Sequence, residues 1–183
     1  MSEGEKIFLR ALELNDLDLI HKWQTDDNIN KLTGGNKFFI SKERVKRWIE
    51  DKIHNDTKQI YCAICECQSG NMIGYASLNN IDFINRKADW GGILIGDYEA
   101  RNRGFASQAA TLLMRHGFFE LGLQKISGKF ISSHQVSIFM AKMLGFKVEG
   151  TLRREVFKNN AYHDILLMSI LKEEFEIKLS EIK

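Results

Sequence analysis

The chain has 183 residues, 44% hydrophobic and 27% charged, with a formal net charge of +2. A length and composition of this kind bury a sizeable core and are expected to form one domain. The near balance of charge argues against a nucleic-acid or anionic-membrane partner, and no apolar run approaches the roughly 20 residues of a membrane-spanning helix. Residues 1–6 lack the basic-then-apolar pattern of a secretory signal, so a cytoplasmic location is expected. Cys62, Cys65 and Cys67 share one apolar stretch, and no second Cys or His pair follows to complete a zinc site. They are expected as reduced thiols packed like small hydrophobes, with no metal. Proline is absent, so turns fall to Gly, Asn and Asp.

In chain order, residues 7–12 (Ile-Phe-Leu-Arg-Ala-Leu) read as a first strand. Asn15 is expected to cap a helix whose apolar stripe is Leu19, Ile20 and Trp23, with Asp16 and Asp18 at its positive end. Ser41 is expected to cap a second helix, in which Val45, Trp48, Ile49 and Ile53 fall at helical spacing. Residues 33–36 between them read as a loop. Residues 59–67, 72–83 and 88–95 read as three strands of an antiparallel meander, with turns at Ser69-Gly70-Asn71 and Asn85-Arg86-Lys87. Paired glycines Gly91-Gly92 inside the third indicate a bulge or a close approach by a ligand.

A long, nearly uncharged helix is expected over residues 104–121, then a strand over 125–131. Ser133 is expected to open a helix with Val136, Met140 and Met143 on one face, ended by Gly145-Phe146 in a Schellman-like cap. Residues 146–157 and 161–171 read as a final hairpin around Lys158-Asn159-Asn160. The order β-α-α-β-β-β-α-β-α-β-β specifies an α/β protein with a mixed sheet.

The most informative segment is Arg101-Asn102-Arg103-Gly104-Phe105-Ala106-Ser107, set between an apolar strand and an apolar helix. Gly104 and Ala106 keep the backbone bare where the helix begins. The first turn offers unpaired N–H groups at the positive end of the helix dipole, and two arginines stand beside it. This is an anion site suited to a phosphate or pyrophosphate. The Walker and G-x-G-x-x-G phosphate patterns are absent. Arg103-Gly104-Phe105-Ala106 matches the first half of an RNA-binding signature, but Ser107-Gln108-Ala109-Ala110 fails the second half, which disfavours nucleic acid.

With its neighbours, this segment resembles the GNAT superfamily of acetyl-CoA-dependent N-acetyltransferases. Arg101, Gly104 and Ala106 fill the three defined positions of that family's [Q/R]-x-x-G-x-[G/A] signature. Phe8–Leu12 with Asp16-Leu17, Ala88-Asp89-Trp90, Leu144 to Gly150, and Asn160 to Asp164 resemble further family motifs, so the likeness runs nearly end to end. The flavour is that of the ribosomal-protein-alanine and spermidine acetyltransferase branch. The resemblance implies the acyl-CoA N-acyltransferase fold: a mostly antiparallel central sheet splayed at the cofactor site, with helices on both faces. It implies acetyl-CoA as cosubstrate, no metal, and direct attack by a primary amine on a small molecule, polyamine, amino sugar or protein N-terminus. A non-catalytic acyl-CoA-binding module is the alternative, and a monomer or homodimer is expected.

Residue by residue, the resemblance places the cofactor pyrophosphate on Arg101, Asn102, Arg103, Gly104, Phe105, Ala106 and Ser107, chiefly through backbone N–H groups. Its pantetheine arm would pair with Ile93, Leu94 and Ile95, with an N–H near Leu94 polarising the thioester. Asp89 is the candidate base, with a turn carboxylate as its plainer reading. Two positions depart from the family. His134 stands where relatives carry a cofactor-contacting Asn, with Ser137 close by in sequence. Ala141 stands where relatives carry an acidic Tyr. Tyr162 or His163 is then the candidate acid, or none is needed because a thiolate with a pKa near 8.5 leaves readily. The acceptor pocket is expected from Trp23, residues 30–40, Trp48 and the last hairpin, with Asp26-Asp27 as a further draw for a cationic amine.

Overall fold

The computed structural model describes residues 6–32, 39–54 and 57–181. Seven strands form in chain order: β1 (Ile7–Ala11), β2 (Ile60–Glu66), β3 (Met72–Asp82), β4 (Lys87–Ile95), β5 (Lys125–Ile131), β6 (Lys147–Lys158) and β7 (Ala161–Leu171). The helices among the described residues are α1 (Leu17–Gln24), α2 (Asp27–Leu32), α3 (Lys42–His54), α4 (Phe105–Arg115), α5 (Gln135–Met143) and α6 (Lys172–Glu181). The strands make one mixed sheet in the order β1-β2-β3-β4-β5-β7-β6. The pairs β1/β2, β5/β7 and β6/β7 are antiparallel and β4/β5 is parallel. The expected loop at residues 33–36 lies outside the described residues.

The chain forms two compact units. One holds the described residues up to Ser77 together with Gly92–Leu113. Its core gathers Leu12, Ile20, Trp23, Ile29, Val45 and Ile49 against Ala63, Cys65 and Met72. Cys62 and Cys65 are buried free thiols and Cys67 is part-exposed. Burial pushes the Cys62 thiol up to about 12. Ser41 caps α3 as expected, accepting from the Arg44 N–H at 3.2 Å. Asn15 does not cap α1. The helix is entered through a 3₁₀ turn, Leu14–Asp16, and Glu13 is its N-cap. The buried Asp16 carboxylate accepts the Glu13 N–H at 2.9 Å and both Arg10 Nη atoms at 2.8 and 2.7 Å. A buried carboxylate with a guanidinium partner across the turn outcompetes a surface Asn for the capping position. The α2 helix was not expected. It is opened by Asp26 Oδ1, which accepts the N–H groups of Asn28 and Ile29.

The other unit holds Leu78–Gly91 and the chain from Met114 onward. The helical stretch expected to run to residue 121 gives way after Arg115 to a π turn, His116–Glu120, closed by Leu121 N–H to His116 O at 3.1 Å. The turn brings Gly117 and Phe118 inward, and a Cβ on Gly117 would lie 3.1 Å from the Leu78 side chain. In α5 the inner face is Ile138, Ala141 and, at its end, Leu144, whereas Val136 is 85% and Met143 56% exposed. The helix is apolar on two sides, so periodicity alone did not choose between them. Its C-cap does. Gly145, at φ +99°, donates to Lys142 O and Phe146 donates to Ala141 O, the two bonds of a Schellman motif. Phe146 is buried and draws the Ala141 side of the helix inward with it. Asn159 and Asn160, at φ 52° and 59°, form the two-residue turn of the last hairpin. Asp164 Oδ1 accepts the N–H of Arg154, which sits at φ 53° in a bulge of β6.

Burial alone would raise the Asp16 pKa, but Arg10 and the Glu13 N–H outweigh it and hold the carboxyl below its ordinary value. A carboxyl depressed in the folded state adds stability above its unfolded pKa near 4, and that stability is lost as pH falls through the folded value. Asp16→Asn should therefore cost about 2–3 kcal/mol at pH 7, a drop of roughly 5–10 °C in melting temperature. The gap from wild type should narrow below pH 4. Thermal melts at pH 7 and pH 3 check both points.

Candidate active site

The anion loop follows β4 in the first unit. Its conformation rests on Asn102 at φ 61° and Gly104 at φ 82°. A Cβ on Gly104 would meet nothing within 4 Å, so the approach to the helix start is open. The first bond into α4 is Gln108 N–H to Gly104 O, which leaves the N–H groups of Phe105, Ala106 and Ser107 without partners inside the helix. No acidic residue sits in this first turn. These features fit a phosphate.

The two arginines brace the loop. Arg101 Nε donates to Ile95 O at 3.0 Å, and its guanidinium lies 4.0 Å over the Tyr98 ring. Tyr98 in turn donates to Asp26 at 2.9 Å. Arg103 pairs with Glu66 at 3.0 Å and covers the buried Phe105. Gln108, which the sequence did not single out, ties β1 to the start of α4. Its Oε1 accepts the N–H groups of Lys6 and Ile7 at 3.0 and 3.2 Å.

β4 pairs with β5 only from Lys87 to Asp89, opposite Lys125 to Ser127, although the strands continue to Ile95 and Ile131. Beyond Asp89, β4 has no β5 partner. Gly92, one of the paired glycines, has φ +104°, a backbone conformation that favours glycine. Of the three residues assigned to the pantetheine arm, Ile95 has its carbonyl engaged by Arg101. The Leu94 carbonyl lies over Gly74, where a Cβ would come within 2.0 Å.

Asp89 is exposed and lines a cavity of about 540 Å³ in the second unit, with Asn80, Trp90, Lys125, Lys129 and Glu149 among its walls. Asn80 Nδ2 donates to Asp89 Oδ2 at 2.8 Å. Across the cavity Glu149 accepts Lys125 Nζ at 2.8 Å and the Ser169 hydroxyl. Lys125 and Ser169 together lower the Glu149 pKa. Neither this trio nor Asn80 was singled out from sequence. Two adjacent asparagines inside a strand, a poor place for Asn, were the available signal.

The remaining sequence candidates lie elsewhere. His134 is the N-cap of α5, and its Nε2 faces Lys158 Nζ at 3.2 Å. Burial, then the Lys158 charge, lowers the His134 pKa, so the ring is neutral at pH 7 and accepts from the lysine. The Ser137 hydroxyl donates to His134 O at 2.9 Å. Ala141 is buried and carries no acid. Tyr162 is 62% exposed, with its ring against Phe157, and His163 Nε2 meets Lys158 O at 3.0 Å. The register separates Tyr162, a candidate acid for the thiolate, from Asp89, the candidate base. Asp89 is level with Ser127, and Ser127 with Ser169. Tyr162 lies seven residues along β7 from that level, roughly 23 Å. Trp23 is core, 3% exposed, with its indole packed on Gly96, and Trp48 packs edge-on against Tyr61. No group of three or more metal-ligating side chains occurs among the described residues, and no helix there is long and apolar enough to cross a membrane.

A bare helix N-terminus after β4, with no acidic residue in its first turn, fits the phosphates of a coenzyme. Residues 6–147 match the acetyltransferase (GNAT) domain, and the chain belongs to that family. It is 29% identical over 175 residues to the SPbeta prophage-derived uncharacterized N-acetyltransferase YokL of Bacillus subtilis, covering 95% of this chain and 94% of that one. It is 28% identical over 181 residues to spermidine N(1)-acetyltransferase of Escherichia coli K12, covering 96% and 91%. The crystal structure of spermidine N-acetyltransferase from Vibrio cholerae in complex with CoA and spermine superposes with a TM-score of 0.84 at 27% identity, over 93% of this chain and 98% of that one. The protein is an N-acetyltransferase whose cosubstrate is acetyl-CoA.

Gly104→Ala puts a side chain into the open approach and into a left-handed backbone. It should raise KM for acetyl-CoA about tenfold while leaving KM for the amine within twofold. Initial rates with each substrate varied in turn make the comparison.

Proposed function

We propose that the protein transfers the acetyl group of acetyl-CoA to a primary amine that carries a single positive charge, foremost a protein N-terminus, with Asp89 as the base. The observation that carries this reading is the placement of Asp89. It is an exposed carboxylate in an open cavity, at the residue where β4 loses its β5 partner. Asp89 accepts a proton from the acceptor ammonium. The freed nitrogen attacks the acetyl carbon, the carbon–sulfur bond breaks, the nitrogen gives its second proton to water, and the leaving thiolate takes a proton from water. The N–H of Leu94 would polarise the thioester oxygen, and Ile93 would pair with the cofactor arm. The loop from Arg101 to Ser107 would hold the pyrophosphate on its backbone N–H groups, with the arginines fixing the loop's shape. His134 and Ser137 would frame the first turn of α5. With Ala141 carrying no acid, departure of the thiolate goes without a protein acid, because a thiolate with a pKa near 8.5 leaves readily.

The charge of the acceptor side supports the single-charge reading. In the cavity wall, Asp89 and Glu149 are matched by Lys125 and Lys129. Residues 30–40, assigned from sequence to the acceptor side, contain Lys31 and Lys37 and neither Asp nor Glu, with Asp26 and Asp27 as the acidic residues before them. A polyamine with three or four charges needs an excess of carboxylates, because each ammonium taken from water needs a partner.

Asp89→Asn should lower kcat by about 10²-fold or more with KM for acetyl-CoA unchanged, followed by release of free CoA thiol. Full activity in that variant would overturn Asp89 as the base. In an acceptor panel, peptides beginning with Ala or Ser should show a higher kcat/KM than spermidine. The reverse order would overturn the single-charge reading and leave the acetyltransferase activity intact.

A further inference from the structure

We infer that Asn80 is a positioning residue, whose side-chain amide holds the Asp89 carboxylate in the orientation that receives the amine's proton. The inference rests on the reading of Asp89 as the base. Asn80 Nδ2 occupies Asp89 Oδ2 at 2.8 Å, and among the described residues no donor meets Oδ1, which leaves that oxygen for the acceptor.

The backbone of β3 is deformed to make this contact. Asn80 has φ 49°, a left-handed conformation inside a strand. The other non-glycine residues with positive φ are in turns and loops or in the β6 bulge. Beside Asn80, Asn79 Oδ1 is buried without a hydrogen-bond partner. A left-handed residue and an orphaned amide oxygen both disfavour the local fold. Stability gives no return for them, because Asp89 is exposed and water satisfies an exposed carboxylate. What the left-handed backbone at Asn80 achieves is a fixed donor on one oxygen of that carboxylate.

The charged groups around Asp89 are few. Lys125 and Lys129 line the cavity from β5 and Glu149 from β6, and Lys125 is itself bonded to Glu149. From β7 the wall is Leu167, Met168 and Ser169, none of them charged. Asn80 is therefore the one neutral amide fixed on the carboxylate among the described residues.

Three variants of the full chain test this. Asn80→Gly keeps a backbone that accepts φ 49° but removes the amide, Asn80→Asp sets a second carboxylate against Asp89, and Asp89→Asn is the control. Melting temperatures confirm that each is folded. Asn80→Gly should lower kcat about tenfold, leave KM for acetyl-CoA within twofold, and move the acid limb of the kcat/KM profile up by about half to one pH unit. Asn80→Asp should move that limb further, because a like charge opposes ionisation. Wild-type kcat and an unmoved acid limb in Asn80→Gly, with Asp89→Asn impaired, would overturn the positioning role alone. Full activity in Asp89→Asn would overturn the base and the positioning role together.

Discussion

β4 and β5 hold together for three residue pairs and then stop, although each strand has residues left to pair. In a parallel ladder every further pair would add hydrogen bonds at almost no extra entropy, so an early end is costly unless another partner takes the vacant groups. Here the vacant stretch begins one residue after Asp89, passes through Gly92 at φ +104° and runs to the strand's end. The family's cosubstrate has an amide-bearing arm that can pair like a strand, and a bare helix start follows in the loop after β4. The proposed places of the base and of the cofactor arm both follow from where that ladder ends.

The arginines show how a sequence motif and its mechanism differ. Arg101 and Arg103 look like phosphate ligands in a linear reading. In the fold, one clamps the Ile95 carbonyl and stacks on Tyr98, and the other pairs with Glu66 over Phe105. Their work is to hold a loop with two left-handed residues in one shape, so that backbone N–H groups converge. A rigid cradle of main-chain donors discriminates by geometry, whereas free guanidinium groups would attract any anion.

Much of the fold was legible because its signals are local. Strand runs bounded by Gly, Asn and Asp turns, the Ser41 cap, the Schellman glycine Gly145 and the Asn159-Asn160 turn each depend on a handful of neighbouring residues. The readings that failed depend on groups distant in sequence. Asn15 lost its cap to a buried Asp16 held by Arg10. The inner face of α5 was decided by Phe146 beyond its end rather than by its own two apolar stripes. Asn80, nine residues from Asp89 across a hairpin, was invisible to spacing because a left-handed backbone set its direction. Single residues inside a motif were harder to read than the motif's location.

Hydrogen exchange along β4, with and without acetyl-CoA, tests the central claim most directly. If the cofactor arm takes the place of the missing β5 partner, amides in the stretch from Trp90 to Leu94 slow on binding, while those of Lys87 to Asp89, already paired, hardly change. Unchanged exchange from Trp90 to Leu94 at saturating acetyl-CoA would contradict the account, because β4 beyond Asp89 would then not be where the cofactor pairs.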